Sequence, residues 1–113
     1  MNANAAAYDE IFDALGDGTR RRTFELLKAG PQSVGALAEQ LPVSRPAVSQ
    51  HLRVLKDAGL VVDEQRGTRR LYRADPEALA ALRVYVESFW TQVLESFKAA
   101  AEQEGDTRDD VRG

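Results

Sequence analysis

One helix is marked at both ends in residues 44–60, Ser-Arg-Pro-Ala-Val-Ser-Gln-His-Leu-Arg-Val-Leu-Lys-Asp-Ala-Gly-Leu. Ser44 is a good N-cap, because its hydroxyl accepts from backbone N–H groups two or three residues on. Pro46 lies in the first turn, where its missing N–H costs nothing. Gly59 supplies the left-handed residue that ends many helices. The stretch therefore predicts a helix from Ser44 to Ala58.

This predicted helix has two different faces when its residues are placed at about 100° per residue. Val48, Leu52 and Leu55 share the inward side. The outward side carries hydroxyl, amide and guanidinium groups, with no carboxylate in its first turns: Pro46, Ser49, Gln50 and Arg53. Such a face suits a helix in the major groove of DNA, although a polar helix face is more often only solvated.

Three further helices are predicted on the N-terminal side of this one. Apolar spacing and capping signals place them at about Ala6–Leu15, from Asp17 or Thr19 to Lys28, and at Val34–Gln40 after a cap at Ser33. The short helix after Ser33 and the helix after Ser44 are joined by a tight turn at Pro42-Val43. Two helices connected in this way form a helix-turn-helix.

A β-hairpin is predicted directly after Gly59. Residues 60–64 and 69–73 are rich in β-forming side chains, and the segment 65–68 between them contains a glycine that can turn the chain. A basic hairpin behind such a helix is the wing of a winged helix-turn-helix. Its expected DNA contacts are Arg66, Thr68, Arg69 and Arg70. The fold class is therefore mainly α, with about five helices and a two-stranded antiparallel wing.

A long last helix opens at Asp75-Pro76 and keeps its apolar spacing to about Glu104. Its length of roughly 45 Å exceeds what a domain of this size can cover, so its apolar stripe requires another chain. We expect a homodimer built on the first and last helices, through Tyr8, Ile11, Phe12, Leu15, Leu79, Leu82, Val86, Phe89, Trp90, Val93 and Phe97. Residues 1–104 then form one domain, and residues 105–113 form a disordered polar tail.

The composition excludes several classes of protein. The 113 residues are 43% hydrophobic and 29% charged, as in globular proteins, and they contain no cysteine for disulfides or thiolate metal sites. No apolar run approaches the roughly 18 residues that span a bilayer. The first residues, Met-Asn-Ala-Asn-Ala-Ala-Ala, lack the basic start of a signal peptide. We expect a cytoplasmic protein without a membrane partner.

The charge of the chain is unevenly distributed. The net charge of −3 divides into −4 over residues 1–17, +6 over residues 18–73 and −5 over residues 74–113. A basic middle between acidic ends fits a single DNA-facing surface. Segregation of this kind also arises by chance in short chains, so the charge supports the helix and the wing but does not stand alone.

Three segments resemble the ArsR family of winged-helix repressors. They are residues 15–21, Leu-Gly-Asp-Gly-Thr-Arg-Arg; residues 37–41, Leu-Ala-Glu-Gln-Leu; and residues 48–61, Val-Ser-Gln-His-Leu-Arg-Val-Leu-Lys-Asp-Ala-Gly-Leu-Val. The resemblance extends over about residues 8–98. It implies homodimers that join through their first and last helices, bind palindromic operators in double-stranded DNA, and repress transcription, often of their own gene.

The chain departs from this family in two places. Gly18 stands where the family usually has proline before Thr-Arg. Metal-sensing members carry cysteines where this chain has Ser33 and Gly35, and other members use Asp, His and Glu on the terminal helices. His51 is the only histidine of the chain, and the last helix has none. We therefore expect no metal site and no cofactor.

The predicted DNA contacts on the helices have different roles. Gln50 suits adenine and Arg45 or Arg53 suits guanine, whereas Ser44 and Ser49 suit phosphates. The remaining members are two apolar residues that can meet a thymine methyl group, one hydrogen-bond donor, and one arginine that is either a phosphate contact or part of a solvated turn. They are Pro46, Ala47, His51 and Arg20.

These features predict a homodimeric, sequence-specific DNA-binding regulator, with repression as the expected direction of control. No constellation of side chains suggests an enzyme. Two alternatives stay open. In the first, aromatic residues between the first and last helices bind an unknown small-molecule effector. In the second, the winged helix binds a protein and no DNA; acids on the outer helix face would favour this, and only Asp57, at its far end, is one.

Overall fold

The computed structural model describes residues 3–112, and the side chains of residues 7–104. In this part of the chain five α-helices, one short 3₁₀ helix and two strands follow one another: α1 Ala3–Gly16, α2 Gly18–Leu26, the 3₁₀ helix Leu27–Ala29, α3 Val34–Glu39, α4 Arg45–Asp57, β1 Val61–Arg66, β2 Arg69–Ala74 and α5 Pro76–Arg112. The predicted fold class is confirmed. The chain divides into two compact units, one up to Leu79 and one from Ala80 onward; a single domain over residues 1–104 stays a prediction.

Side-chain caps begin the helices where the sequence places them. Asp17, Ser33 and Ser44 each accept a hydrogen bond from the backbone N–H three residues on, at 2.9, 3.2 and 3.3 Å. Each bond satisfies one of the N–H groups that the first turn of a helix leaves unpaired. The cap of α2 is thus Asp17 rather than Thr19. Asp75 does the same for α5, by accepting from the backbone N–H two residues on at 3.0 Å.

The core of the first unit is built around α4. Val48, Leu52 and Leu55 are fully buried, as predicted, and each contributes about 1.5–3 kcal/mol on burial. The other buried apolar residues are Ile11, Ala14, Leu27, Leu37, Leu41, Leu60 and Val61. Thr23 is a buried polar residue that the sequence does not predict, and its hydroxyl donates to the Thr19 carbonyl at 2.9 Å. This bond satisfies the hydroxyl without a partner from another element.

The wing is an antiparallel hairpin whose closing pair is Arg66 opposite Arg69. Its turn is only Gly67-Thr68, shorter than the segment 65–68 that the sequence suggests. Gly67 has a φ of +61°, and no residue other than glycine has a positive φ in the part of the chain described. Glycine with positive φ at the first turn position is the pattern of a type II′ turn, which fits the twist of the two strands.

The segment before α3 pairs with the second strand of the wing through one antiparallel β-bridge. The backbones of Gln32 and Tyr72 exchange two hydrogen bonds, both of 2.9 Å. The Gln32 side chain also donates to the Leu26 carbonyl at 2.7 Å. The inner end of the hairpin is therefore tied to the helix-turn-helix through main-chain bonds.

The last helix is longer than predicted. The backbone of α5 is helical to Arg112, so the expected end near Glu104 is wrong. One glycine inside a helix costs only about 1 kcal/mol relative to alanine, so Gly105 does not have to end it. Disorder of the tail, residues 105–113, stays a prediction, because the side chains of these residues lie outside those that the structure describes. Among the helices described, none combines the length and the apolar character needed to cross a membrane.

Candidate nucleic-acid interface

The outward face of α4 is exposed along its whole length. Pro46, Ser49, Gln50 and Arg53 lie on the solvent side, opposite the buried side chains of the same helix. Within the described residues, the side chain of Arg53 forms neither an ion pair nor a hydrogen bond with a protein group. A helix fixed by its buried side thus presents amide, hydroxyl and guanidinium groups in a defined direction, as readout of base edges requires.

The side chain of Arg45, the first residue of α4, rests on α3. A Cβ atom placed on Gly35 would lie 3.1 Å from Nη2 and 3.3 Å from Cζ of Arg45. Contacts this short are rare for Cβ atoms, so the guanidinium occupies space that any larger residue at position 35 would claim. Both helices of the helix-turn-helix therefore contact this guanidinium, and no pattern in the sequence predicts that contact.

The side chain of Arg20 is bound to the end of α1. Its Nε and Nη2 donate to the carbonyls of Ala14 and Asp13, at 2.5 and 3.1 Å, and Arg21 donates to the Leu15 carbonyl at 2.7 Å. These carbonyls end α1, where no further backbone N–H is available and a positive charge is favourable. Arg20 thus caps α1 from the first turn of α2, and its contact with a DNA phosphate stays a prediction.

His51 and Ala47 are half-buried rather than exposed. The backbone N–H of Arg20 lowers the pKa of the Asp17 carboxyl, and His51 makes a smaller electrostatic contribution in the same direction. The imidazole therefore lies within electrostatic range of the first turn of α2. The predicted DNA contact of His51 stays a prediction.

The wing carries its cations at the exposed tip. Arg66 donates to Glu64 at 3.0 Å, whereas Arg69 makes no ion pair among the described residues. The two arginines are directly opposite each other in the hairpin, an arrangement in which like charges repel. Thr68 lies beside them in the turn and is exposed. An anion bound at this tip would relieve the repulsion, so the wing suits phosphate.

Arg70, the fourth predicted wing contact, is held by Asp63. The Asp63 carboxylate is only 8% exposed, and it pairs with Arg70 on β2 and with Lys56 in the last turn of α4, the latter at 2.7 Å. The hydrogen bonds from Lys56 and then Arg70 lower the pKa of Asp63. One carboxylate thus joins the wing to α4. The signal for it lies in the strand register, because Arg70 is the diagonal neighbour of Asp63 across the hairpin.

The second unit exposes a large apolar face on α5. The exposed fractions of its side chains include 61% for Phe89, 64% for Trp90 and 71% for Phe97, and Val86 and Val93 are also exposed. Leu82, in the same unit, is half-buried. In the first unit, Leu79 and Phe12 are exposed, whereas Tyr8 and Leu15 are half-buried. Ile11 is only 4% exposed and packs in the core, so within a single chain it offers no surface to a partner.

Each unit has a hollow on its surface. One, of about 300 Å³, is lined by Glu10, Asp13, Ala14, Arg20, Val54, Asp57 and Ala58, and the other, of about 340 Å³, lies on the apolar face of α5. In the part of the chain that the structure describes, no three histidine or acidic side chains are grouped as metal ligands would be.

Known proteins share this architecture. A helix-turn-helix domain family matches residues 15–64, which contain α2, α3 and α4. The HTH-type transcriptional regulator Rv2034 of Mycobacterium tuberculosis is 55% identical over 98 residues, which are 87% of this chain and 92% of that protein. Both matches include the exposed face of α4.

Solved structures agree with these matches. An ArsR-like transcriptional regulator from Rhodococcus sp. RHA1 is 33% identical, with a TM-score of 0.73 over 88% of this chain and 97% of that one. A homodimeric winged helix-turn-helix DNA-binding domain from Mycobacterium bovis, a possible ArsR-family regulator, is 30% identical, with a TM-score of 0.62 over 81% and 88% of the two chains. The chain described here belongs to the ArsR family of winged helix-turn-helix transcriptional regulators, which are DNA-binding proteins and not enzymes.

Proposed function

We propose that this protein works as a homodimer that binds an inverted-repeat operator and represses transcription, with its own promoter among the targets. The observation that carries the proposal is the outward face of α4, which is polar, exposed and free of carboxylates in its first turns, on a helix whose opposite side is buried. DNA as the partner also makes the cytoplasm its expected location.

The side chains of α4 divide into those that read bases and those that hold the backbone. Gln50 pairs with adenine and Arg45 or Arg53 pairs with guanine, each good pair contributing about 1–3 kcal/mol of discrimination. Ser44 and Ser49 hold phosphates, which positions the helix without selecting a sequence. At the wing, Arg66, Thr68 and Arg69 contact the backbone or the minor groove beside the site read by α4.

The second copy is recruited through the apolar face of α5. Side chains such as Phe89 and Trp90, each more than half exposed in one chain, need a cover of the same chemistry. The homodimeric state of the Mycobacterium bovis relative supports this assembly. A two-fold axis places two α4 helices in successive major grooves, so the half-sites should lie about 10–10.5 base pairs apart, centre to centre.

Repression follows from the size of this complex. A dimer that spans two successive major grooves at a promoter occupies the surface that RNA polymerase needs. A metal is not the expected signal, since the chain offers no cysteine and one histidine as soft or borderline ligands.

The test is a selection from a random DNA library, followed by affinity measurements on the selected sequence, the operator. We expect an inverted repeat that binds about 1,000-fold or more tightly than random DNA at physiological salt. Transcription from a promoter that contains the operator should fall as the protein is added. Equal affinity for the selected and the random DNA would contradict the proposal.

A second candidate is a repressor that responds to a small apolar molecule. The observation that favours it is the hollow of about 340 Å³ lined by Tyr85, Val86, Phe89, Trp90 and Val93. A thermal-shift screen of aromatic and aliphatic compounds tests it. A saturable stabilising compound that also releases the operator would establish the candidate, whereas a stabilising compound that leaves DNA binding intact would count against it.

A further inference from the structure

The carboxylate of Asp63 stands between the two parts of the surface that face DNA. It is the least exposed acidic group among the ion pairs of the described residues, and it binds Lys56 through one oxygen and Arg70 through the other. Lys56 belongs to α4 and Arg70 to β2. A single side chain on β1 therefore connects the helix that reads bases to the strand that carries Arg69 and Arg70.

We propose that Asp63 is a positioning residue that sets the sequence specificity of this protein, an inference that rests on the proposed function in DNA binding. Asp63 acts in two ways. It fixes the angle between the wing and α4, and it keeps the charges of Lys56 and Arg70 from binding phosphates of any sequence. The wing then contacts DNA through its tip, at Arg66, Thr68 and Arg69.

The first effect depends on where the wing is anchored. The closing pair and the turn lie at the far end of the hairpin, where every residue is exposed. A two-stranded hairpin has little stability of its own, so its direction is set by what anchors it. Asp63 and Tyr72 are opposite each other in the hairpin, so both anchors act at the same level: the Gln32–Tyr72 backbone pair holds β2, and the Asp63 ion pairs hold the hairpin against α4.

The second effect depends on the number of cations that are free to meet phosphates. Each phosphate that a lysine or arginine neutralises steepens the slope of log K against log salt concentration by about 0.9. This contribution is the same for all sequences, so it raises the affinity for random DNA without adding discrimination. Two cations bound to Asp63 do not contribute to it, so the ion pairs lower the affinity for random DNA, and the effect on the specificity ratio comes from the angle of the wing.

The test compares Asp63→Asn with the wild type on the operator and on random DNA over a range of salt concentrations. Asparagine keeps the shape of the side chain and removes the charge that holds Lys56 and Arg70. We expect the salt slope on random DNA to steepen by about 0.9 for each cation released, and the ratio of specific to random affinity to fall severalfold. An unchanged or shallower slope would overturn the proposal.

Glu64→Gln is the matched control on the same strand. It releases Arg66 from an exposed pair at the tip but leaves the connection between the wing and α4 intact. Its slope on random DNA should steepen by about one cation at most, and its specificity ratio should stay that of the wild type. A loss of specificity as large as that of Asp63→Asn would overturn the assignment to Asp63.

Two arginines on β2 keep the proposal testable if Asp63→Asn does not fold. Arg69→Gln removes a tip cation and should make the salt slope shallower by about 0.9, whereas Arg70→Gln should leave it unchanged, since Arg70 is already paired. Equal losses of slope would overturn the proposal. Failure of the wild type to prefer the operator would refute the proposed function instead, because the slopes on random DNA need no operator.

Discussion

Two helix faces are exposed in this chain, and their chemistry is opposite. The outward face of α4 carries Ser49, Gln50 and Arg53, whereas α5 exposes Phe89 and Trp90. The polar groups of α4 keep their hydration until a partner replaces it, so that face is stable in water by itself. Burial of the apolar face of α5 against a partner is favourable by about 25 cal/mol of free energy for each Å² removed from water. Exposure on α4 therefore indicates a hydrophilic partner such as DNA, and exposure on α5 indicates another protein surface.

The largest effect should come from placing a charge on the apolar face of α5. We expect Phe89→Arg to give a folded monomer, because Phe89 is 61% exposed in one chain and is not part of its core. Affinity for the operator should fall about 100-fold or more, since the two half-sites no longer bind as a unit. Sedimentation and fluorescence anisotropy measure the two results.

Glu95→Arg is the control for this substitution. Steps of 100° per residue place Glu95 about 120° from Phe89 around α5, outside the apolar stripe, and it is exposed. It should leave both the oligomeric state and the operator affinity close to those of the wild type. A monomeric Glu95→Arg variant, or a dimeric Phe89→Arg variant, would break the assignment of the apolar face to the second copy.

The next largest effect should come from the reading face of α4. Arg53→Ala and Gln50→Ala should each cost about 1–3 kcal/mol on the operator, because each removes a pair with a base edge. Affinity for random DNA should change much less, so the specificity ratio falls. Anisotropy titrations on both DNAs measure this, and equal losses on the two would show that these side chains hold phosphates only.

The wing should give a smaller and less selective loss. Arg69→Ala should weaken binding to the operator and to random DNA by the same factor, with a salt slope that is shallower by about one. The reason is that Arg69 lies at the exposed tip and makes no ion pair in the described part of the chain. A loss confined to the operator would instead show that the wing reads bases.

The smallest effect should come from the contact between the two helices of the motif. Gly35→Ala requires the Arg45 guanidinium to shift by a few tenths of an ångström, which a flexible side chain can do. We expect the melting temperature to be unchanged or slightly higher, and the operator affinity to change by about twofold. The change should concentrate at the base pair that Arg45 contacts, as measured on operators substituted one position at a time.

Gly16→Ala provides the comparison, because a Cβ atom at Gly16 meets nothing within 4 Å. This variant should bind all substituted operators as the wild type does. The same base preference in both variants would show that Gly35 does not position Arg45.

The features that the sequence predicts well are local. The caps at Asp17, Ser33 and Ser44 and the two faces of α4 depend on residues a few positions apart, and the structure has them where the spacing places them. The roles of Arg20 and Asp63 depend on groups from other elements, the carbonyls of α1 in one case and side chains of α4 and β2 in the other. A count of charges along the sequence treats Arg20 and Asp63 as surface charges, because it carries no information about tertiary contacts.

The most direct test uses one labelling chemistry at both faces. Since the chain has no cysteine, Ser49→Cys and Trp90→Cys each create a single thiol for a benzophenone photocross-linker. With the operator present, the label at position 49 should cross-link to DNA, and the label at position 90 should cross-link to a second copy of the chain. A label at position 49 that reaches only protein, or one at position 90 that yields no covalent dimer, would contradict the account.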